Sequence, residues 1–261
     1  MVRPKKSLGQ HFLKDDNIAR KTAGFLDPEI PSVLEIGPGT GILTRQILAN
    51  PAFDLRVIEI DRESVDYLQS NFPALRDRII HADFLAYDLS GILHPASAIQ
   101  VIGNFPYNIS SQILFRVLEY RDRVKLVTGM FQKEVAERIA SPPGSKQYGI
   151  LSVFLQAFYD IEYLFTVSET VFYPPPKVKS AVIRLKRNGV HSLDCDEKLF
   201  FRVVKTAFNQ RRKTLRNSLR GMACMDSQDL PALLSLRPEQ LSVSRFEELT
   251  RWVDANSVKN S

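Results

Sequence analysis

Ser32-Val33-Leu34-Glu35-Ile36-Gly37-Pro38-Gly39-Thr40-Gly41 is the stretch on which the fold is read. Its first half is a short apolar run of the kind that forms a buried strand. Its second half places three glycines in five residues, and an amphipathic segment, Ile42 to Ala49, follows. Strand, glycine-rich loop and helix in that order aim backbone N–H groups at a ligand and let it approach closely. The spacing is G-x-G-x-G. The dinucleotide fingerprint G-x-G-x-x-G needs glycine at position 42, where this chain has Ile42, which counts against NAD. A tight strand–helix turn without a ligand would use the same glycines, so the loop alone does not decide.

The segments outward from it repeat the alternation. Leu55 to Ile60 is a second strand, Arg62 to Asn71 a helix, Arg78 to His81 a third strand and Ile99 to Gly103 a fourth. Ser110 to Tyr120 is helical, with Ile113, Leu114, Val117 and Leu118 on one face. Val124 to Met130 is a fifth strand. Gln132 to Ala140 and Tyr148 to Phe158 read as helices, and Ile161 to Val167 with Ser180 to Leu185 as two last strands in a hairpin. This alternation implies a parallel sheet covered on both faces, an α/β fold. Past Asn188-Gly189 the pattern is purely helical. One helix is expected over Glu197 to Arg220, carrying Phe200, Val204 and Phe208, and Pro231 and Pro238 interrupt the remainder. The expected domains are therefore 1–187 and 188–261.

Carboxylates close two of the strands. Glu59 ends the second, just ahead of Asp61, where a carboxylate can accept both hydroxyls of a ribose. NAD and S-adenosylmethionine each carry a ribose. Asp83 follows the third strand, where it can take an adenine amino group or equally serve as a turn or N-cap residue.

The fourth strand delivers Asn104-Phe105-Pro106-Tyr107 to the same edge. An exocyclic amine that is to be methylated must present a lone pair that is otherwise delocalised into the base. Acceptors around its N–H groups draw the nitrogen towards tetrahedral geometry. The Asn104 side-chain oxygen supplies one, and a backbone carbonyl near Pro106 supplies another. Tyr107 offers a face on which a base stacks. Many Asn-x-Pro turns do nothing of the kind; placement after the fourth strand of a cofactor-binding sheet favours the chemical reading.

Composition sets the outer bounds. The chain has 261 residues, 44% hydrophobic and 25% charged, the profile of an ordinary globular protein. No apolar run is as long as a membrane span, and the basic stretch Met1 to Leu13 lacks the apolar core of a signal peptide. Cys195 and Cys224 show no metal spacing and no disulfide framework, so a reducing, cytoplasmic setting is expected. His11, His81, His94 and His191 show no ligand pairing, and no metal site is expected. Net charge is +6, but Arg184 to Arg220 holds 11 basic and 3 acidic residues (+8), and the first 14 residues hold four basic and no acidic ones (+4). The rest therefore sums to −6. Two basic blocks fit a surface that tracks phosphates, with Arg211, Arg212, Lys213, Arg216 and Arg220 as candidate contacts. Ordinary helix solubilisation explains any one of them as well.

Taken together, six stretches make the chain resemble the KsgA family of small-subunit ribosomal RNA adenine N6,N6-dimethyltransferases. They are Ser7 to Leu13, Glu35 to Gly41, Glu59-Ile60-Asp61, Gly103 to Ser110, Ser145 to Gly149 and Val171 to Ser180. The resemblance spans nearly the whole chain. It implies a class I S-adenosylmethionine-dependent methyltransferase fold, a Rossmann-like seven-stranded sheet with an antiparallel last strand, and a small all-helical C-terminal domain that binds rRNA. It implies dimethylation at N6 of two adjacent adenosines in a loop near the 3′ end of 16S rRNA, by a monomer acting on a pre-assembled small subunit. By the same resemblance His11, Leu13, Gly37, Gly39, Glu59, Asp83 and Asn104 hold S-adenosylmethionine. Asn104, Pro106 and Tyr107 surround the reacting amine, and Phe172 stacks on the target base opposite Tyr107. The chain departs from the family pattern at His11, usually Asn, and Phe105, usually Leu. Two other readings remain open: a resistance-type methyltransferase of large-subunit rRNA, and a non-catalytic ribosome-assembly factor.

Overall fold

The computed structural model describes residues 2–92, 98–225 and 231–257. His94 lies outside them. The chain opens with a short strand, β1 (Phe12–Leu13), and α1 (Asp16–Ala23), whose first turn is capped by the Asp15 carboxylate accepting the N–H groups of Asn17 and Ile18. Strand and helix then alternate: β2 (Ser32–Ile36), α2 (Ile42–Leu48), β3 (Asp54–Glu59), α3 (Arg62–Asn71), β4 (Ile79–His81), β5 (Ile99–Asn104), α4 (Ser110–Glu119), β6 (Val124–Gln132) and α5 (Lys133–Ala140). A short helix, α6 (Ile150–Gln156), precedes β7 (Tyr159–Val167), β8 (Phe172–Tyr173) and β9 (Ser180–Arg187). The remainder is helical, with α7 (Glu197–Asn209), α8 (Leu215–Ser218) and α9 (Val243–Ala255).

Seven strands form one sheet in the order β4-β3-β2-β5-β6-β9-β7. The five from β4 to β6 are parallel, and β9 runs antiparallel to β6. The central strands are apolar on both faces because helices cover both. Val33, Leu34, Val57, Ile58, Val101 and Ile102 are all buried. The carboxyl ends of β2, β3, β4 and β5 share one edge, and the chain reverses direction in the strand order at β2, whose neighbours are β3 and β5. A crevice at such a switch point is where open α/β sheets bind ligands.

The expected hairpin is only half right. β7 and β9 are neighbours in the sheet, but residues 168–179 between them leave it. Within that excursion β8 pairs antiparallel with β1, matching Phe12 to Tyr173 and Leu13 to Phe172. Pro174, Pro175 and Pro176 carry no N–H to donate to a ladder, so the segment cannot continue either strand.

Two compact units account for the chain, Met1–Ala136 with Asp160–Arg187, and Glu137–Tyr159 with Asn188–Ser261. One division between the units falls between Arg187 and Asn188, and residues 137–159 cluster with the helical unit, not with the first 187. The reason is visible in α6, Ile-Leu-Ser-Val-Phe-Leu-Gln, which has apolar residues all round and needs partners on several sides. Phe154 meets Phe201 edge-on with centroids 4.4 Å apart and lies 6.3 Å from Phe200, while Tyr148 lies 6.4 Å from Phe208. Phe246 of α9 completes this aromatic core.

The single helix expected over Glu197 to Arg220 is broken. α7 leaves helical geometry at Gln210 (φ −119°, ψ 44°), and α8 starts only after Thr214. Arg211, Arg212 and Lys213 thus follow a helix C-terminus, where the last carbonyls favour positive charge. Among the described residues no helix is long and apolar enough to cross a membrane.

Candidate active site

One cavity lies at the shared strand edge of the sheet unit. His11, Gly37, Gly39, Glu59, Asp83, Asn104, Pro106 and Tyr107 all line it. Five segments far apart in sequence meet here: four lie at the carboxyl ends of the parallel strands β2, β3, β4 and β5, and the fifth, Ser7 to Phe12, leads into β1.

At one end is the glycine loop. Gly37, Gly39 and Gly41 have φ of +65°, +55° and +77°, a region that other residues rarely adopt. A side chain on Gly39 would meet the Phe12 ring at 2.8 Å, so the aromatic ring closes directly onto the backbone there. Space beside Gly37 is open. The Glu59 carboxylate is 4% exposed and accepts the N–H of Gly39 at 3.1 Å and of Asp61 at 2.9 Å. It ties the loop to the end of β3. Burial raises its pKa, against the pull of those N–H groups. Two bonds leave lone pairs on both oxygens for further donors, such as a pair of ribose hydroxyls. Open space at Gly37, an acceptor pair at Glu59 and the apolar side chains of Ile60 and Phe84 fit a nucleoside cofactor. Behind the loop, Glu35 is buried and accepts the Thr44 hydroxyl at 2.6 Å. Burial raises its pKa to about 8, and the nearby Glu59 charge adds to the rise.

Asp61 plays another part. Its buried carboxylate binds the Lys5 ammonium and accepts from Ser64 at 3.0 Å and Gln10 at 3.4 Å. Burial works against ionisation, but those partners outweigh it and hold the pKa below the ordinary range. The ion pair pins the N-terminal turn so that Ser7 to Phe12 wall the cavity. Sequence reasoning named only His11 and Leu13 from this segment. Gln10 and Phe12 were missed, although both belong to a stretch already singled out, because nothing in the sequence says which of its side chains turn inward.

At the other end lies the Asn-Phe-Pro-Tyr segment. Asn104 Nδ2 donates to the His11 carbonyl at 2.8 Å. A carbonyl only accepts, so the amide orientation is fixed and Oδ1 is the atom left to accept. The Pro106 carbonyl accepts the Ile109 N–H at 3.2 Å and retains its second lone pair. Tyr107 donates to or accepts from the Ser180 hydroxyl at 2.6 Å, and its ring stacks on His11 with centroids 5.5 Å apart and planes 27° from parallel. Burial raises the Tyr107 pKa although the Ser180 bond opposes it. His11 Nδ1 lies 2.7 Å from the Pro174 carbonyl.

The two departures from the family pattern resolve differently. At position 11 the backbone carbonyl makes the contact to Asn104, which any residue supplies. Phe105 is 1% exposed and packs edge-on against Phe131 at 5.1 Å. Its ring occupies space opened by Gly129, where a side chain would meet it at 2.3 Å. The bulk of Phe105 therefore goes into the core.

Three expected site residues stand elsewhere. Phe172 is fully buried in the core with Leu13, Ala19 and Leu26, and does not line the cavity. It cannot present a face to a base from there. Successive strand residues point to opposite sides, and it is Tyr173 that faces out, 61% exposed. Leu13, paired with Phe172, is buried with it in the core and does not line the cavity. In the helical unit, Arg211 is half-buried and donates to the Lys146 carbonyl at 2.6 Å, with the Glu239 carboxylate 3.8 Å away. It clamps the loop before α6. Arg212, Lys213, Arg216 and Arg220 are exposed. Asp83 lines the cavity and also accepts the Leu85 N–H at 2.9 Å, so the turn role and the cavity position coexist.

The model of the ribosomal RNA adenine dimethylase family matches residues 1–242. The ribosomal RNA small subunit methyltransferase A of Parabacteroides distasonis is 60% identical over 254 residues, covering 96% of this chain and 94% of that one. Its counterpart in Flavobacterium johnsoniae is 56% identical over 260 residues, covering 99% of each. Among solved structures, a dimethyladenosine transferase of Plasmodium falciparum superposes with a TM-score of 0.74 at 24% identity, covering 92% of this chain and 96% of that one. The 23S rRNA methyltransferase ErmE superposes with a TM-score of 0.64 at 24% identity, covering 93% and 99%. At those identities the two structures speak for the fold alone.

Proposed function

The chain belongs to the ribosomal RNA adenine dimethylase family, and from that premise we propose that it dimethylates N6 of two adjacent adenosines in a loop near the 3′ end of 16S rRNA. The methyl donor is S-adenosylmethionine, and the substrate is a pre-assembled small ribosomal subunit, met by a monomer in the cytoplasm. The observation that carries the chemistry is the fixed amide of Asn104, whose Nδ2 is spent on the His11 carbonyl.

S-adenosylmethionine, when bound, supplies a methyl group made electrophilic by its sulfonium. Glu59 would hold the ribose hydroxyls, Asp83 the adenine, and the loop from Gly37 to Gly41 the methionine end. In the first transfer Asn104 Oδ1 would accept one N6–H of the target adenine and the free lone pair of the Pro106 carbonyl the other, which localises the nitrogen lone pair. N6 releases one proton to solvent with each methyl gained, so in the second transfer the single remaining N–H has one of these acceptors. Tyr107, anchored through Ser180, supplies the stacking face. Positioning and acceptor geometry are the protein's share of the work. An adenine that can be unstacked lies in a loop more readily than in a duplex. The exposed residues Arg212, Lys213, Arg216 and Arg220 are proposed to contact phosphates, while Arg211 holds their neighbourhood together.

Asn104→Ala removes the acceptor and the tether to the His11 carbonyl, and leaves Glu59, Asp83 and the glycine loop in place. Labelled-methyl transfer to small subunits lacking the modification should fall about 100-fold, the scale of losing one preorganised polar group at a reacting centre. Calorimetry should show S-adenosylmethionine bound within a few-fold of wild type. Normal turnover by the variant would contradict the assigned role.

A further inference from the structure

From the last residue of β8 to the start of β9 the chain exposes Tyr173, Lys177, Val178 and Lys179. Tyr173 and Val178 are 61% and 47% exposed. This loop is bound to the candidate active site at both ends. At Pro174 its carbonyl takes the His11 ring, which also stacks on Tyr107. At Ser180 its hydroxyl takes the Tyr107 phenol. Pro174, Pro175 and Pro176 restrict the backbone in between.

The register of the small ribbon says which way Tyr173 points. Tyr173 pairs with Phe12, and residues directly opposite in an antiparallel pair share a face. Phe12 lines the cavity wall above Gly39. Leu13 and Phe172 take the other face and are buried. Tyr173 therefore stands on the cavity side of the ribbon, beside Phe12, with most of its ring in solvent. An exposed aromatic next to two exposed lysines is the composition with which proteins hold single-stranded nucleic acid: a stacking face and cations for the backbone.

We propose that Tyr173 is the stacking platform for the nucleotide adjacent to the target adenosine, with Lys177 and Lys179 contacting the flanking phosphates. The proposal rests on the reading of the site as an RNA adenine methyltransferase. Unstacking a loop adenine towards Tyr107 exposes the face of the base next to it, and Tyr173 re-covers that face. With two adjacent adenosines as substrate, one base rests on Tyr173 while the other is at Asn104.

Binding by the full-length protein tests this without relying on turnover. Two fluorescent probes serve, a single-stranded oligoadenylate and an abasic ribose-phosphate oligomer of the same length. Tyr173→Ala should bind oligoadenylate about tenfold more weakly, as expected for losing one stacked base, and the abasic probe as wild type does. Tyr173→Phe should keep wild-type affinity for both. The double variant Lys177→Ala, Lys179→Ala should weaken both probes and lower the slope of log affinity against log salt by about 1.4, two phosphates on a single strand. Wild-type oligoadenylate affinity in Tyr173→Ala, or an equal loss for both probes, overturns the stacking role. An unchanged salt slope in the lysine variant overturns the phosphate contacts. Methyl transfer by the wild-type protein is a separate readout, so a failure of the enzymatic reading is told apart from a failure at Tyr173.

Discussion

The two ends of the cavity are built differently. The glycine-loop end is made of backbone: three glycines at positive φ and one buried carboxylate taking two N–H groups. The Asn-Phe-Pro-Tyr end is made of side chains from three distant segments, Asn104 on the His11 carbonyl, Tyr107 on Ser180, and His11 against both Tyr107 and the Pro174 carbonyl. The first is a local device that constrains its own sequence. The second is a tertiary one, in which the segments Ser7–Leu13 and Val171–Ser180 complete what the tetrapeptide begins.

The sharpest contrast inside the second end is between Phe172 and Tyr173, adjacent in sequence and opposite in environment. If Phe172 is core, Phe172→Ala should destabilise the fold by about 3–5 kcal/mol, since it leaves a cavity among packed neighbours. Tyr173→Ala should stay within about 0.5 kcal/mol. Chemical denaturation of both variants checks this, and equal stability would break the distinction. Next in size is the glycine-loop end. Glu59→Gln keeps the shape but removes the charge proposed to accept ribose hydroxyls, and its amide must turn a donor towards the N–H of Gly39 or Asp61. Affinity for S-adenosylmethionine should fall about 10-fold or more by calorimetry, with little effect on RNA binding.

The smallest effect concerns Glu35, behind the loop. Its pKa is raised from an ordinary 4.5 to about 8. The folded protein therefore holds this proton more tightly than the unfolded chain does. The stabilisation is full below the lower value and is lost as pH rises through the upper one. Melting temperature should decline from about pH 5 to about pH 8 more steeply in wild type than in Glu35→Gln, which cannot ionise. Parallel pH profiles for the two proteins would show that Glu35 is not the group responsible.

Legibility followed the same division. Strand, loop and helix around Gly37 to Gly41, the carboxylate at Glu59 and the tetrapeptide at Asn104 were readable because each is encoded by spacing within a few residues. The helix break at Gln210, the membership of residues 137–159 and the inward face of β8 were not. Each depends on partners distant in sequence: Lys146 for Arg211, Phe200 and Phe201 for Phe154, and Leu13 for Phe172. A two-residue strand gives no periodicity to read, and a shift of one residue exchanges its buried and exposed side chains. Family resemblance singled out Phe172, but only the pairing with β1 tells which of two adjacent aromatics is buried and which is exposed.

Methyl transfer to adenine in small-subunit RNA is the activity proposed for this site. Unmodified small and large ribosomal subunits, each incubated with the protein and S-adenosylmethionine, can be digested and their nucleosides identified by mass spectrometry. The predicted result is N6,N6-dimethyladenosine at two adjacent positions of the small-subunit RNA and none in the large. Modification confined to the large subunit, or no transfer to either, would contradict it.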